Sequence, residues 1–497
     1  MMKILLIYPP WLRLFGMSMP DFPLNLGYLA AELRKSGHEA VIYNADFDSS
    51  NGGNSYIDPE IVMMSNYNSY MAILQDIKHP IWQQLRETVQ AIAPDIVGIT
   101  SMTATYGSAI NTAKCVKQVS NEIIVVLGGV HPTLLPAETI KEPEVDIVVT
   151  GEAELTLVKL VDAIEKKAIS SIGIQYENKY IINPVHGPNT AHIDSLGLPA
   201  RDLLLNAKDF PPNSFGTLIG SRGCPFHCIF CSSHKMWGRK VRFRTALNII
   251  EEIEAVNKTF GTFRFHFEDD TFTLKKDLVM KFCECMKERD INVRWSCPTR
   301  VDFIEPRLAR EMKSAGCSTI SLGIESGSED SLKKIKKGIT IEQVRRAVRV
   351  IKEEDIMVTG YFIFGFPWET EEHIAQTLSL IEELDLDMVQ YNFAVPLPGT
   401  ELYKIMESQG ILPPHQTPME WSQFYQHSPC LPYPKFEDST GTKSFFEFVG
   451  TYLNKLNQDK ARLREKRNAS ESGIDRIKYY LRHPVKLASH LKRISTR

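Results

Sequence analysis

The sequence predicts an α/β protein: a doubly wound parallel sheet in front, a partial β/α barrel behind it, and a mostly helical tail. Three observations carry this. Five continuous apolar, β-branched runs in the first third alternate with helix-period segments. A second series of such runs follows after residue 213 with the same alternation. Beyond residue 405 the strand pattern stops. Strands that alternate with helices read as parallel sheets. The expected division is 1–185 for the first domain, 186–212 for a linker, 213–405 for the barrel and 406–497 for the tail.

The first five runs are KILLIYPP (3–10), EAVIYNAD (39–46), DIVGITS (95–101), IIVVLGG (123–129) and DIVVTGE (146–152). None alternates apolar with polar, as expected of strands covered on both faces. LNLGYLAAELRKSG (24–37) carries a helix stop in its final Lys, Ser and Gly, and WQQLRETVQAIAP (82–94) ends at a proline. In such sheets ligands bind beyond the carboxyl ends of the strands. The candidates there are Pro10, Asp46, Ser101, Met102, Thr103, Gly128, Gly129, Val130, His131, Gly151 and Glu152. No G-x-G-x-x-G follows a strand, so a dinucleotide site is not indicated. Residues 48–80 interrupt the pattern with Gly, Asn and Ser and read as a loop with a short helix.

Residues 186–212 hold several prolines and few periodic apolar positions, which marks them as the linker. GTLIGSRG (216–223) then begins the second series, followed by FRFHFEDDTFT (263–273), VRWSCPTR (293–300), CSTISLGIESGS (317–328), MVTGYFIFGFPWET (357–370) and MVQYNFAVPLPGT (388–400). In β/α barrels the chemistry sits at the C-terminal ends of the strands. Glu268, Asp269, Asp270, Arg300, Glu325, Ser326 and the stretch after Gly360 fall there.

With 497 residues, 43% hydrophobic and 24% charged, the composition is that of ordinary globular material. A formal net charge of −3 gives no global pull toward nucleic acid. The N-terminal apolar run is too short for a signal segment, and no run reaches the roughly 18 apolar residues of a membrane helix. A cytoplasmic protein is expected, and nine cysteines in that setting favour metal or redox chemistry over disulfides. Cys115, Cys283, Cys285, Cys297, Cys317 and Cys430 are scattered and read as inert buried thiols.

The other three cysteines are clustered. SRGCPFHCIFCSS (221–233) holds Cys224, Cys228 and Cys231 with gaps of three and two residues. Thiolates select zinc, Cu(I) or iron–sulfur clusters. Three of them hold three corners of a four-iron cluster and leave one iron open. A zinc site completed by His227 or His234 is the competing reading.

Phe230 bears on that choice, because C-x3-C-x-aromatic-C is the signature of the radical S-adenosylmethionine (SAM) superfamily. The later runs resemble that superfamily's barrel, and KILLIYPP, PLNLGYLAAEL, PDIVGITSMT, VVLGGVHPT and DIVVTGEAE resemble the cobalamin-binding domain that precedes it in many members. The resemblance implies a [4Fe–4S] cluster on Cys224, Cys228 and Cys231. It implies SAM contacts from Phe230, Glu268, Asp269, Glu325, Ser326, Gly360, Ile363 and Gly365, and cobalamin contacts from the strand-end residues named above. No D-x-H-x-x-G motif surrounds any of the 13 histidines, so cobalt is expected to lack a histidine ligand from this chain. A flavodoxin- or ferredoxin-type electron donor is implied as well.

With both cofactors the resemblance implies methylation of an unactivated carbon in a small-molecule or lipid intermediate. Members of the same branch also perform cyclisation, rearrangement or carbon–carbon coupling, and the motifs do not separate these outcomes. A cobalamin sensor on a zinc-stabilised scaffold is the reading from another class. The tail ends in IDRIKYYLRHPVKLASHLKRISTR (474–497), where Lys and Arg interleave with Ile, Tyr and Leu. That pattern offers peripheral contact with an anionic membrane or, more blandly, a solvated basic face.

Overall fold

The computed structural model describes residues 1–49, 62–63, 65–183, 193–412, 417–428, 431 and 449–462. All five expected N-terminal strands form: β1 (Lys3–Tyr8), β2 (Glu39–Asn44), β3 (Ile96–Thr100), β4 (Ile124–Gly128) and β5 (Ile147–Val149). A short hairpin not anticipated from the sequence, β6 (Ile174–Tyr176) and β7 (Lys179–Ile182), extends the sheet to seven strands. The order is β2-β1-β3-β4-β5-β7-β6, parallel except for β6. The direction of winding reverses between β1 and β3, and such a switch point opens a crevice at the strand ends. The near-continuous burial of Ile4 to Ile7 and Val125 to Leu127 explains why these runs carry no polar alternation.

Of the expected linker, residues 186–192 lie outside the described residues. From Ile193 onward it is a chain of single turns bound to the first sheet. Leu205 donates its N–H to the Ile42 carbonyl at 2.8 Å and Ala200 to the Gly27 carbonyl at 2.9 Å. In the 48–80 segment, residues 50–61 and 64 lie outside the described residues. The expected short helix is Tyr67–Gln75.

The second sheet has six parallel strands: β8 (Thr217–Leu218), then, past a two-residue ribbon of β9 (Ser221–Arg222) and β10 (Arg242–Phe243), β11 (Arg264–Phe267), β12 (Arg294–Thr299), β13 (Cys317–Glu325), β14 (Met357–Phe364) and β15 (Met388–Phe393). They pair in that order from β8 to β15, the ribbon standing apart as a sheet of its own. This is the partial barrel. Phe362 and Phe364 are fully buried under the helices, while the alternate residues Tyr361 and Ile363 are only partly covered and belong to the opposite face.

An open barrel leaves β15 with unpaired backbone groups. A helix over 449–462 covers them: Asn457 accepts from the Val389 N–H at 2.9 Å and donates to the Val389 carbonyl at 2.7 Å. Asn457→Leu leaves both groups unsatisfied and is expected to cost about 1–3 kcal/mol, read as a lower urea midpoint. Residues 417–428 join the same edge to the N-terminal domain. The Phe393 N–H bonds to the Gln426 carbonyl at 3.0 Å, and Ser422 Oγ accepts from the Gly107 N–H at 2.8 Å. Among the described residues no helix is long and apolar enough to cross a membrane. The basic stretch 474–497 and Cys430 lie outside the described residues.

Candidate active site between two sheets

The cysteine loop leaves β9 through Gly223, whose φ of +101° suits glycine and where a Cβ would lie 2.9 Å from the Lys240 carbonyl. Ile229, buried inside the loop, anchors it twice: its N–H meets the Ile335 carbonyl at 3.2 Å and its carbonyl accepts from Leu402 at 3.0 Å. Cys224, Cys228 and Cys231 are all half-buried. Burial raises all three thiols, Cys231 to about 12. Opposing this, the Ser233 N–H donates to Cys231 Sγ at 3.4 Å, and the charges of Arg300 and Lys337 favour thiolate at Cys228. Among the described residues, these sulfurs do not form a group of ligands lying within 4.8 Å of one another. One zinc ion with Zn–S bonds of about 2.3 Å needs thiolates about 4 Å apart. Soft thiols, a wider spread and nearby positive charge fit a multi-iron cluster.

Around this loop the barrel strand ends are assembled by buried polar bonds. Arg300, just past β12, lies 3.8 Å over the Phe226 ring and pairs with Asp302 at 3.0 Å. Glu325 ends β13 at a φ of +70° and accepts from Lys337 Nζ at 2.6 Å. Gly323 makes room for this pair, since a Cβ there would lie 2.8 Å from Nζ. Gly365 has a φ of +87°, and its N–H and that of Phe366 donate to the Glu369 carboxylate, the latter at 3.1 Å. Burial pushes Glu369 up to about 7, against those two donors. Phe230 sits 6.1 Å from Phe366, which stacks on Trp368 at 5.2 Å.

The other predicted SAM contacts have varied surroundings. Asp269 is buried and binds back to the start of the loop, accepting from the Gly220 N–H at 2.7 Å and from the Ser221 hydroxyl. Burial raises its carboxyl to about 7. Asp270 reaches the far end of the cysteine loop, past its last thiol, and accepts from Ser233 Oγ at 2.6 Å. Ser326 is fully buried, with its Oγ 3.3 Å from Thr377. Gly360 is explained by packing: a Cβ there would lie 2.8 Å from Leu386 and 2.9 Å from Phe362. Ile363 stands on the partly covered face of β14. Glu268 faces a large cavity instead.

That cavity, of about 790 Å³, lies between the strand ends of the first sheet and the barrel. Asp46, Met102, Gly129 and Val130 line it from one side, and Arg222, His266, Glu268 and Ser296 from the other. A narrow slot of about 80 Å³ runs from the strand ends into the first domain, lined by Gly98, Gly128, Gly129, Gly151 and Glu152 with Leu6, Leu26 and Val126. A broad cavity of mixed, mainly apolar lining with a narrow apolar slot beside it fits a large ring bearing a flat aromatic tail, so the residues present suit cobalamin.

Four predicted cobalamin contacts are instead taken up by packing. Pro10 and Ser101 are buried, with the Pro10 carbonyl accepting from Ser108. Thr103 bonds to His131 Nδ1 at 3.3 Å. His131 is fully buried, with its ring 4.0 Å from Tyr106 and 5.4 Å from Trp421, and burial lowers its pKa to about 3. It lies in no D-x-H-x-x-G motif, and the structure fixes it beside Trp421 of the 417–428 segment.

Arg222, Lys337 and Glu369 were not found from the sequence. Arg222 joins the two domains: it pairs with Glu152 at 2.8 Å and Glu154 at 2.7 Å, between the rings of Tyr28 at 5.1 Å and Trp237 at 4.9 Å. Arg242 also pairs with Glu152. Arg222 is two residues before Cys224, and that proximity was the available signal. The pairs are nearly buried, so Glu152→Gln is expected to cost about 2–4 kcal/mol, because one carboxylate serves two guanidiniums. Thermal unfolding of the apoprotein checks this.

The family follows from both halves. Residues 18–161 match the B12 binding domain and residues 218–381 match the Radical SAM superfamily. The chain belongs to the cobalamin-dependent radical SAM enzymes, whose typical cofactors are a [4Fe–4S] cluster, SAM and cobalamin. It is 33% identical over 464 residues to an uncharacterized methyltransferase of Pyrococcus horikoshii, covering 91% of this chain and 93% of that one. It is 31% identical over 343 residues to the anaerobic magnesium-protoporphyrin IX monomethyl ester cyclase of Rubrivivax gelatinosus, covering 65% of this chain and 60% of the cyclase. The radical SAM methyltransferase TsrM of Kitasatospora setae, solved with cobalamin and a [4Fe–4S] cluster, shares the fold with a TM-score of 0.62, 17% identity, and 85% and 81% coverage.

Proposed function

We propose that the protein is a radical SAM C-methyltransferase acting on an unactivated carbon of a biosynthetic intermediate. The observation that carries this is the 790 Å³ cavity shared by the strand ends of both sheets. A substrate in it would border the cobalamin face on one wall and, at Arg222, two residues before Cys224, approach the cysteine loop on the other. When bound, the cluster and cobalamin supply the electron for SAM cleavage and the carrier for the methyl group. The chain's part is to hold and enclose. Cys224, Cys228 and Cys231 hold the cluster. Phe230, Glu325 and the Gly365 turn, steadied by Lys337 and Glu369, position SAM beside it. Met102, Gly128, Gly129, Val130, Gly151 and Glu152 border the cobalamin face, with Asp46 fixing the first turn after β1 through the Trp11 and Arg13 N–H groups at 2.6 and 2.9 Å. A flavodoxin- or ferredoxin-type protein supplies electrons.

The test is anaerobic reconstitution with iron, sulfide and hydroxocobalamin, followed by reductant and SAM. Formation of both 5′-deoxyadenosine and S-adenosylhomocysteine is expected. 5′-Deoxyadenosine without S-adenosylhomocysteine would replace methylation with cyclisation, the reading favoured by the likeness to the Rubrivivax cyclase. A colourless, zinc-loaded protein would defeat both.

A further inference from the structure

Most charged groups on the wall of the interdomain cavity are already engaged. Glu154 pairs with Arg222 and Asp46 accepts two backbone N–H groups, while Arg264 is an exposed cation of the same lining, its guanidinium 5.5 Å over the Phe263 ring. Two carboxylates differ. Glu268, at the end of β11, has a side chain 59% exposed, and its contact is His266 Nε2 at 3.7 Å. Asp21 stands on the opposite wall, in the loop before the helix Leu24–Lys35, and its backbone carbonyl accepts from Asn44 Nδ2 at 2.8 Å. Among the described residues, neither carboxylate pairs with Lys or Arg. His266 is oriented from behind, with Nδ1 2.8 Å from Ser296 Oγ. Burial raises the Asp21 carboxyl, the Glu268 charge raises it further, and His266 opposes them only in part. The two carboxylates thus line one cavity, with the His266 imidazole beside Glu268.

We propose that Asp21, Glu268 and His266 form the polar end of the substrate site, and that the substrate brings a basic nitrogen, an amine or amidine, to it. A cation placed there relieves the repulsion between the two carboxylates, whereas a carboxylate or phosphate adds to it. Ser296 keeps the imidazole turned to the cavity. The site spans the cavity from Glu268 and His266 on the barrel wall to Asp21 on the other, and none of the three lines the slot of the first domain, so its occupant is a third molecule beside the two cofactors. The inference rests on the proposed function only in taking this cavity as the place where substrate meets both of them.

The experiment uses the reconstituted holoenzyme and two probes of similar length, agmatine and adipate, titrated anaerobically by calorimetry. Agmatine is expected to bind and adipate not to. Asp21→Asn/Glu268→Gln is expected to weaken agmatine about tenfold or more, the equivalent of 1.4 kcal/mol. Cobalamin uptake by the variant, read from its absorbance, shows that it is folded. Equal binding of adipate, no binding of agmatine, or unchanged agmatine affinity in the folded variant would each overturn the inference. SAM cleavage by the wild-type protein is measured alongside. Its absence would overturn the proposed function, while cleavage without amine preference removes only the substrate assignment.

Discussion

Cys224→Ala, Cys228→Ala and Cys231→Ala are each expected to abolish SAM cleavage, by at least about a thousandfold in 5′-deoxyadenosine formation, equivalent to roughly 4 kcal/mol of barrier. The three thiols are half-buried on one short loop, and no fourth cysteine of that loop stands in reserve. Losing one leaves a second iron without protein ligand, so the cluster itself should be lost. Iron and acid-labile sulfide, about four of each per chain in the wild type, should fall together with activity. Cys115→Ala changes a buried thiol of the first domain and should keep the cluster. Cleavage retained by Cys228→Ala would refute the assignment.

The second large effect is on stability. Glu252 is fully buried in the helix Ala246–Phe260, between Arg201 at 2.7 Å and Arg244 at 2.5 Å. Burial alone would raise its carboxyl, but the two guanidiniums outweigh burial and hold it below the usual range. Arg201 comes from the segment between the domains and also donates to the carbonyls of Phe215 and Thr217 at 2.9 and 2.6 Å. Arg244 follows the cysteine loop and reaches Tyr28 Oη of the first domain at 3.3 Å. Glu252→Gln strands two buried cations and is expected to cost about 3–5 kcal/mol. Replacing all three residues with apolar side chains of similar volume should cost less, because no charge is then left unpaired. Urea unfolding measures both. A loss below about 1 kcal/mol for Glu252→Gln would show that water reaches the triad.

Much of this was legible in advance because the signals are local. The strands of the first sheet are covered on both faces and so read as continuous apolar runs, and the six of the barrel recur between helical segments, so the eleven strands expected before residue 400 could be placed from the chain alone. The β6–β7 hairpin escaped because its strands are three and four residues long and partly exposed. The cysteine triplet was legible because a loop that ligates a cluster needs its thiols close in sequence. Strand-end residues were harder. A sequence shows which residues end a strand but not which way each points. Glu268, Asp269 and Asp270 are consecutive, yet one faces the cavity, one binds back to Gly220 and one reaches Ser233.

The sequence by itself determined the two parallel sheets, their order along the chain and the three-thiol loop, since periodicity and spacing are properties of neighbours. Only the tertiary structure decided what lies across from what. Lys337 looked like one more cation in KKIKKG until folding buried it against Glu325. Arg222 looked like a residue beside a motif until it met Glu152 and Glu154, about seventy positions earlier in the chain. Asp21 and Glu268 acquire a shared role because two domains close over one cavity. Charge acts through space and local pattern acts along the chain, so the cofactor loop could be read from one dimension and the cavity that faces it could not.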